Sequence, residues 1–253
     1  MNQNATIDAQ IAVAKRHPRN IMKCIENSIA LATMDQETAR SCSYTLFRDG
    51  KFITGPSVHL AKIIASNWGN LHSEANIIRR TDKEITSRGT CWDLEANVST
   101  LFEVSRSIVD SRGRKYPEDI IVSTGNAVNS ISFRNAVFAV IPKAITDKVY
   151  QAAQKFITGD LSDESKLNKV RYETLDSFRK TYKIKEEEVL RLCGRQSVDQ
   201  IIANDLSTLI GILQSLKDGD TTVEDIKSSI DSQKEKVEEK KKVLKQKKAP
   251  ELP

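Results

Sequence analysis

The chain of 253 residues carries 39 Lys and Arg against 34 Asp and Glu, a net charge of +5, long enough to bury a core without metal or disulfide staples. The excess is too mild for a histone-like polycation and favours an anionic partner only weakly. Cys24, Cys42, Cys91 and Cys193 form no C-x-x-C pair, no run nears the roughly 18 apolar residues of a membrane span, and Met1 to Ala5 lacks signal-peptide regions, so we expect reduced thiols, no membrane and a cytoplasmic location.

Ile7, Ile11, Val13, Ile21, Ile25, Ile29 and Leu31 recur at helical spacing, split at His17-Pro18, which predicts two N-terminal helices. Ser43 to Arg48, an Asp49-Gly50 turn and Lys51 to Thr54 read as a hairpin, because Asp-Gly supplies the positive φ a tight turn needs. Ser57 is placed to cap a helix over Val58 to Trp68 that stops at Gly69. Three strand-like runs follow, Leu71 to Arg80, Glu84 to Glu95 and Asn97 to Val109, the third alternating with a period of two. The simplest topology is an antiparallel meander.

Past the polar tip Asp110 to Lys115, helical periodicity returns from Val128 through Ile141, and Pro142 starts a second helix toward Phe156. Gly159 to Glu164 looks like a boundary. Beyond it the signals are all helical: Val170 to Tyr182, Glu186 to Cys193, Ser197 to Ile202, Asp205 to Leu216 with Asp205 as cap, and Val223 to Ile230 with a capping box in Thr221 to Glu224. Eight lysines from Lys234 to Lys248, with few apolar residues between, predict a disordered tail or frayed helix. The expected fold class is therefore α+β: an antiparallel β-meander packed on helices, then a small all-α C-terminal module and a charged tail, divided 1–160, 161–230 and 231–253.

Asp93 and Glu95, two carboxylates on one strand, could hold a metal for phosphodiester hydrolysis, but no lysine follows at nuclease spacing. No Gly-x-Ser-x-Gly elbow and no phosphate-cradling Gly-rich loop occurs either, so we expect no enzyme and no cofactor, with Mg2+ only a phosphate-screening ion. The basic residues are better placed than their number suggests. Arg79 and Arg80 end one strand, Arg88 and Arg106 lie within strands, and Arg112, Arg114 and Lys115 cluster at one turn, a strip able to neutralise phosphates or simply to guard solvated strand edges. Arg134 and Lys143 sit among apolar residues, where a charge must be paired or reach a ligand phosphate; Glu95, Glu103 and Asp147 are the acidic partners the sequence offers. Trp68, Trp92, Phe102 and Phe133 could stack bases or fill the core.

Two stretches resemble the phage single-strand annealing proteins of the RecT, Red-beta, ERF and Sak groups. The first is Tyr44 to Arg48 with Ile53 to Ser57 and Leu60 to Asn70, continuing to Thr124-Gly125-Asn126 and Ile131 to Ala136; it is similar to a prophage-encoded branch. The second, Leu190 to Gly194 with Leu206 to Leu213 and Lys217 to Glu224, resembles the helical module appended to many such proteins. The resemblance implies an antiparallel sheet on a long helix, assembled as a homo-oligomer into rings or helical filaments with single-stranded DNA in a basic groove. It makes Arg134 and Lys143 groove candidates, supported by Arg106, Arg112, Arg114, Lys115, Arg79 and Arg80. It further implies ATP-independent annealing in the bacterial host cytoplasm, with residues 161–230 docking a host single-strand binding protein or a phage exonuclease. The alternatives are a non-enzymatic phage structural or scaffold assembly protein without nucleic-acid activity, and the metal nuclease on Asp93 and Glu95.

Overall fold

The computed structural model describes residues 3–48, 51–110, 112–159, 164–228 and 230. The Asp49-Gly50 turn, most of the 159–164 boundary and the 231–253 tail therefore lie outside the described residues. Helices α1 (Gln3–Arg16) and α2 (Ile21–Ala32) are divided as proline requires, and Asn20 caps α2 by accepting from the Lys23 amide at 3.1 Å. A short α3 (Gln36–Ser41), unforeseen in the sequence, starts where Asp35 accepts from the Thr38 amide at 2.7 Å. Its six residues bury only Ala39, too little to leave an apolar period.

Strands β1 (Ser43–Arg48) and β2 (Lys51–Pro56) pair antiparallel with Thr45 opposite Thr54. Helix α4 (Val58–Trp68) follows; the Ser57 hydroxyl accepts from the His59 and Leu60 amides, and Gly69 at φ +65° ends the helix. The meander is β3 (Leu71–Arg80), β4 (Glu84–Asp93) and β5 (Val98–Ser107), ordered β3-β4-β5, with a register shift between Ile77 and Arg79.

Helix α5 (Glu118–Val140) lies across one face of this sheet and begins ten residues before the periodicity announces it, because its first half is rich in Ser, Thr, Gly and Asn. Gly89 makes the close approach possible: a Cβ there would sit 2.1 Å from the Ser132 carbonyl oxygen. The Ser87 hydroxyl shares hydrogen bonds with Asn129 and Ser132, and Thr100 donates to the Ala136 carbonyl at 3.0 Å, fixing where α5 sits along β4 and β5. The protein is thus α+β, an antiparallel three-stranded sheet followed by helices.

The helices after α5 are α6 (Lys143–Gly159), α7 (Glu164–Tyr182), α8 (Glu186–Cys193) and α9 (Ala203–Lys217), with a 3-10 turn at Val198–Gln200 and a last helical stretch over 223–228. Two caps differ by a few positions from expectation. Asp205 lies inside α9 and accepts from the Ile202 amide, and the reciprocal box joins Thr222 with Asp225. The core does not divide at residue 160: Ala39 and Ile157 pack in one cluster with Leu175, Phe178, Leu206 and Ile212. Helix α9 also seats on the hairpin, where Ser215 accepts from the buried Thr45 amide at 3.0 Å and Gly211 leaves room for the Thr45 side chain.

Candidate nucleic-acid interface

The chain positions most of its candidate cations at one end of the sheet. There the β3–β4 turn and the β5–α5 loop meet, tied by the Ile108 amide donating to the Lys83 carbonyl at 2.8 Å. Asp110 shapes the loop by accepting from the Arg112 and Arg114 amides, and these bonds, the Arg114 amide first, hold its carboxyl below the usual range. Arg79, Arg80, Lys83, Arg106, Arg112, Arg114 and Lys115 face Asp82, Glu84, Asp110, Glu118 and Asp119 here, seven basic against five acidic.

Some of these cations are already partnered. Arg79 pairs with Glu84 at 2.8 Å, Arg80 with both oxygens of Glu118, and Arg114 with Asp110 at 2.7 Å, all with exposed guanidinium groups. Exposed pairs of this kind are worth little, so a phosphate can exchange for the carboxylate. Lys83, Arg112 and Lys115 have no carboxylate within ion-pair distance among the described residues. Lys83 escaped the sequence reading because nothing in a turn of mixed charge distinguishes it; only the fold brings it beside Arg106.

Arg106 and Arg134 converge on a different feature. Arg106 donates to the carbonyls of Gly219 at 2.9 Å and Asp220 at 2.7 Å, while the Arg134 guanidinium lies 4.0 Å from the Asp220 carboxylate and 4.4 Å from the Tyr44 ring centre. Arg134 is therefore paired, but with an acid 86 positions away that the sequence did not suggest. Beside it, His59 and Asp218 are 3.1 Å apart. Burial pushes the Asp220 carboxyl upward, against the downward pull of Arg134 and Arg106.

Lys143 corrects one expectation. It stands at the start of α6 with its side chain 84% exposed and paired with Asp147, so it is not embedded in an apolar surface. Roughly 25 residues of helical rise, on the order of 35 Å, separate it from the basic end. The structure brings Arg79, Arg80, Arg106, Arg112, Arg114 and Lys115 together, links Arg134 to them through Asp220, and leaves Lys143 apart.

The sheet face turned away from α5 is a poorer site for a polyanion. Its charged residues are Arg79 and Arg88 against Glu74, Glu84 and Glu103, and Arg88 is held by Glu103 at 2.7 Å. Of the aromatics, Trp68 is buried, donates to Asp93 and carries Arg19 stacked on its ring, and Phe133 packs in the core. Phe102, 41% exposed, and the half-buried Trp92 remain accessible on the sheet.

The carboxylate pair is committed elsewhere. Asp93 accepts from the two terminal nitrogens of the Arg19 guanidinium, from Trp68 and from the amides of Glu95 and Ala96, and Glu95 accepts from Asn70 and the Arg19 amide. A metal at this position would have to displace Arg19. Burial also pushes the thiols of Cys42 and Cys193 up to about 12 and that of Cys91 to about 11, which suits structural rather than reactive cysteines. No helix among the described residues is long and apolar enough to cross a membrane. Comparison with protein-family models, with curated proteins and with solved structures gave no match.

Proposed function

We propose that this chain is an ATP-independent single-stranded-DNA-binding protein that anneals complementary strands in phage-type recombination, working as a homo-oligomer in the bacterial host cytoplasm. The observation that carries this reading is the gathering of Arg79, Arg80, Lys83, Arg106, Arg112, Arg114 and Lys115 at one end of an antiparallel sheet backed by a long helix. Three of these cations lack an acidic partner among the described residues, and the others hold solvent-exposed pairs or backbone carbonyls. Such a surface grips phosphates without reading sequence and leaves bases free to find their complements. Residues 161–230 would serve as the docking surface for a host single-strand binding protein or a phage exonuclease. The exposed Tyr172, beside a depression of about 400 Å³ lined also by Asp176, Arg179 and Glu186, is the surface suited to that role.

The assembly-protein alternative has one observation in its favour: the outer edge strand β5 exposes Val98, Leu101 and Phe102. A single experiment separates the two. Purified protein is mixed with two complementary labelled oligonucleotides, without ATP, at low and high salt. Faster duplex formation at low salt, suppressed at high salt and with both strands intact, is the expected result. No binding and no acceleration at low salt overturns it in favour of assembly, and magnesium-dependent shortening of the strands would point to the nuclease instead.

A further inference from the structure

The Gly219–Asp220 segment lies against two arginines, Arg106 and Arg134. It lies along the face of α5 that presents Ser123, Ala127 and Arg134, close enough that a Cβ on Gly219 would meet Ala127 and Ser123 at 3.7 Å. Two arginines from different elements, Arg106 of β5 and Arg134 of α5, point at this one short segment and find there two carbonyl oxygens and one carboxylate. An array of oxygens offered to two guanidinium groups is also what a phosphodiester presents.

The segment is an imperfect occupant. Asp220 is buried, yet its Oδ1 accepts no hydrogen bond, and its approach to Arg134 is a loose 4.0 Å rather than a bidentate fork. The neighbouring Asp218 also keeps one buried oxygen, Oδ2, without a donor, although its other oxygen is bound by His59 and Gln214. Meanwhile the turn is held by its own helix: the amides of Asp220 and Thr221 donate to the Ser215 carbonyl. The turn therefore has backbone bonds that do not depend on either arginine.

Building on the annealing reading, we infer that the Gly219–Asp220 turn is an internal competitor for nucleic-acid phosphate, its carbonyls holding Arg106 and its Asp220 carboxylate holding Arg134 until a strand exchanges its backbone for these oxygens. Loading then joins this pair to the exposed cations at the end of the sheet. The competitor restrains binding of isolated phosphates, which engage too few cations at once to displace it.

The test is Asp220→Asn, which keeps the shape and removes the charge. Affinity for an oligothymidylate is measured by anisotropy over a salt series for the wild type, for Asp220→Asn, and for Asp220→Asn combined with Arg134→Gln. The inference expects the single variant to bind about tenfold more tightly at moderate salt, with a log–log salt slope steeper by about 0.7 for each further phosphate engaged. It expects the double variant to lose that gain. A wild type that binds, with Asp220→Asn unchanged in affinity and slope, overturns the competitor and leaves the annealing reading standing. Absence of binding by every protein at low salt overturns both. Should Asp220→Asn fail to fold, Arg134→Gln alone decides: weaker oligothymidylate binding supports exchange, and unchanged affinity shows that Arg134 only holds the turn.

Discussion

Arg19 shows how a pattern that suggests chemistry can be structural. Its side chain is 8% exposed and that of Asp93 5%, so both charges are withdrawn from water and depend on each other and on Trp68. Removing one partner leaves the other buried and uncompensated, which costs about 3–5 kcal/mol. We expect Arg19→Ala to lose stability on that scale in urea unfolding, with a reduced midpoint and little change in slope. Burial raises the Asp93 carboxyl, but the Arg19, Ala96 and Trp68 hydrogen bonds outweigh it and hold the group below its ordinary 3.8. Since the folded value is the lower one, the stability Asp93 contributes is complete above about the unfolded pKa and disappears as pH falls through the folded value. An acid titration of unfolding free energy should therefore fall more steeply below pH 4 in the wild type than in Asp93→Asn. Equal acid sensitivity in the two would show that the carboxylate is not held as the structure has it.

At the scale of elements, the seating of α5 on β4 depends on one missing side chain. A Cβ at Gly89 would lie 2.1 Å from the Ser132 carbonyl oxygen, a backbone atom that can yield only if the whole helix lifts. Gly125, on the helix itself, would bring its Cβ 3.3 Å from the Ile85 Cδ1, the end of a flexible side chain, and alanine is favoured over glycine in a helix by about 1 kcal/mol. Thermal unfolding should show Gly89→Ala destabilised by about 3 kcal/mol or more and Gly125→Ala near neutral. If both cost the same, the close approach of α5 to β4 is not a tight one. The sequence made the sheet legible because its strands alternate or run apolar between polar turns, and Ser57 and Gly69 announced both ends of α4. It hid α3, whose six residues are too few to show an apolar period, and the first half of α5, where Ser, Thr, Gly and Asn weaken the helix propensity. The exchange of partners at Arg134 was hidden for another reason: its acid stands 86 positions away, and an ion pair between distant elements leaves no local pattern to read.

For the whole molecule, the distribution of charge matters more than its total. A net charge of +5 on 253 residues exerts a weak field, and the pairs Arg88 with Glu103, Lys143 with Asp147 and Arg171 with Glu164 are locally neutral and add nothing to it. What remains concentrated is the end of the sheet, where Lys83, Arg112 and Lys115 have no acidic partner among the described residues and the exposed Arg114 guanidinium is paired with Asp110. Each phosphate neutralised on a single strand contributes about 0.7 to the log–log slope of affinity against salt. Replacing Arg112, Arg114 and Lys115 together by alanine should lower that slope by about 2 and weaken oligothymidylate binding at low salt far more than at high salt. The changes fall on exposed side chains, so unfolding midpoints should barely move. Lys143→Ala supplies the contrast, because its ammonium stands at the opposite end of α5 and a strand on the basic end need not reach it. An unchanged slope in Lys143→Ala beside a reduced one in the triple variant places the strand at the end of the sheet. The reverse pattern would move it to the start of α6 and remove the basic end from the binding surface.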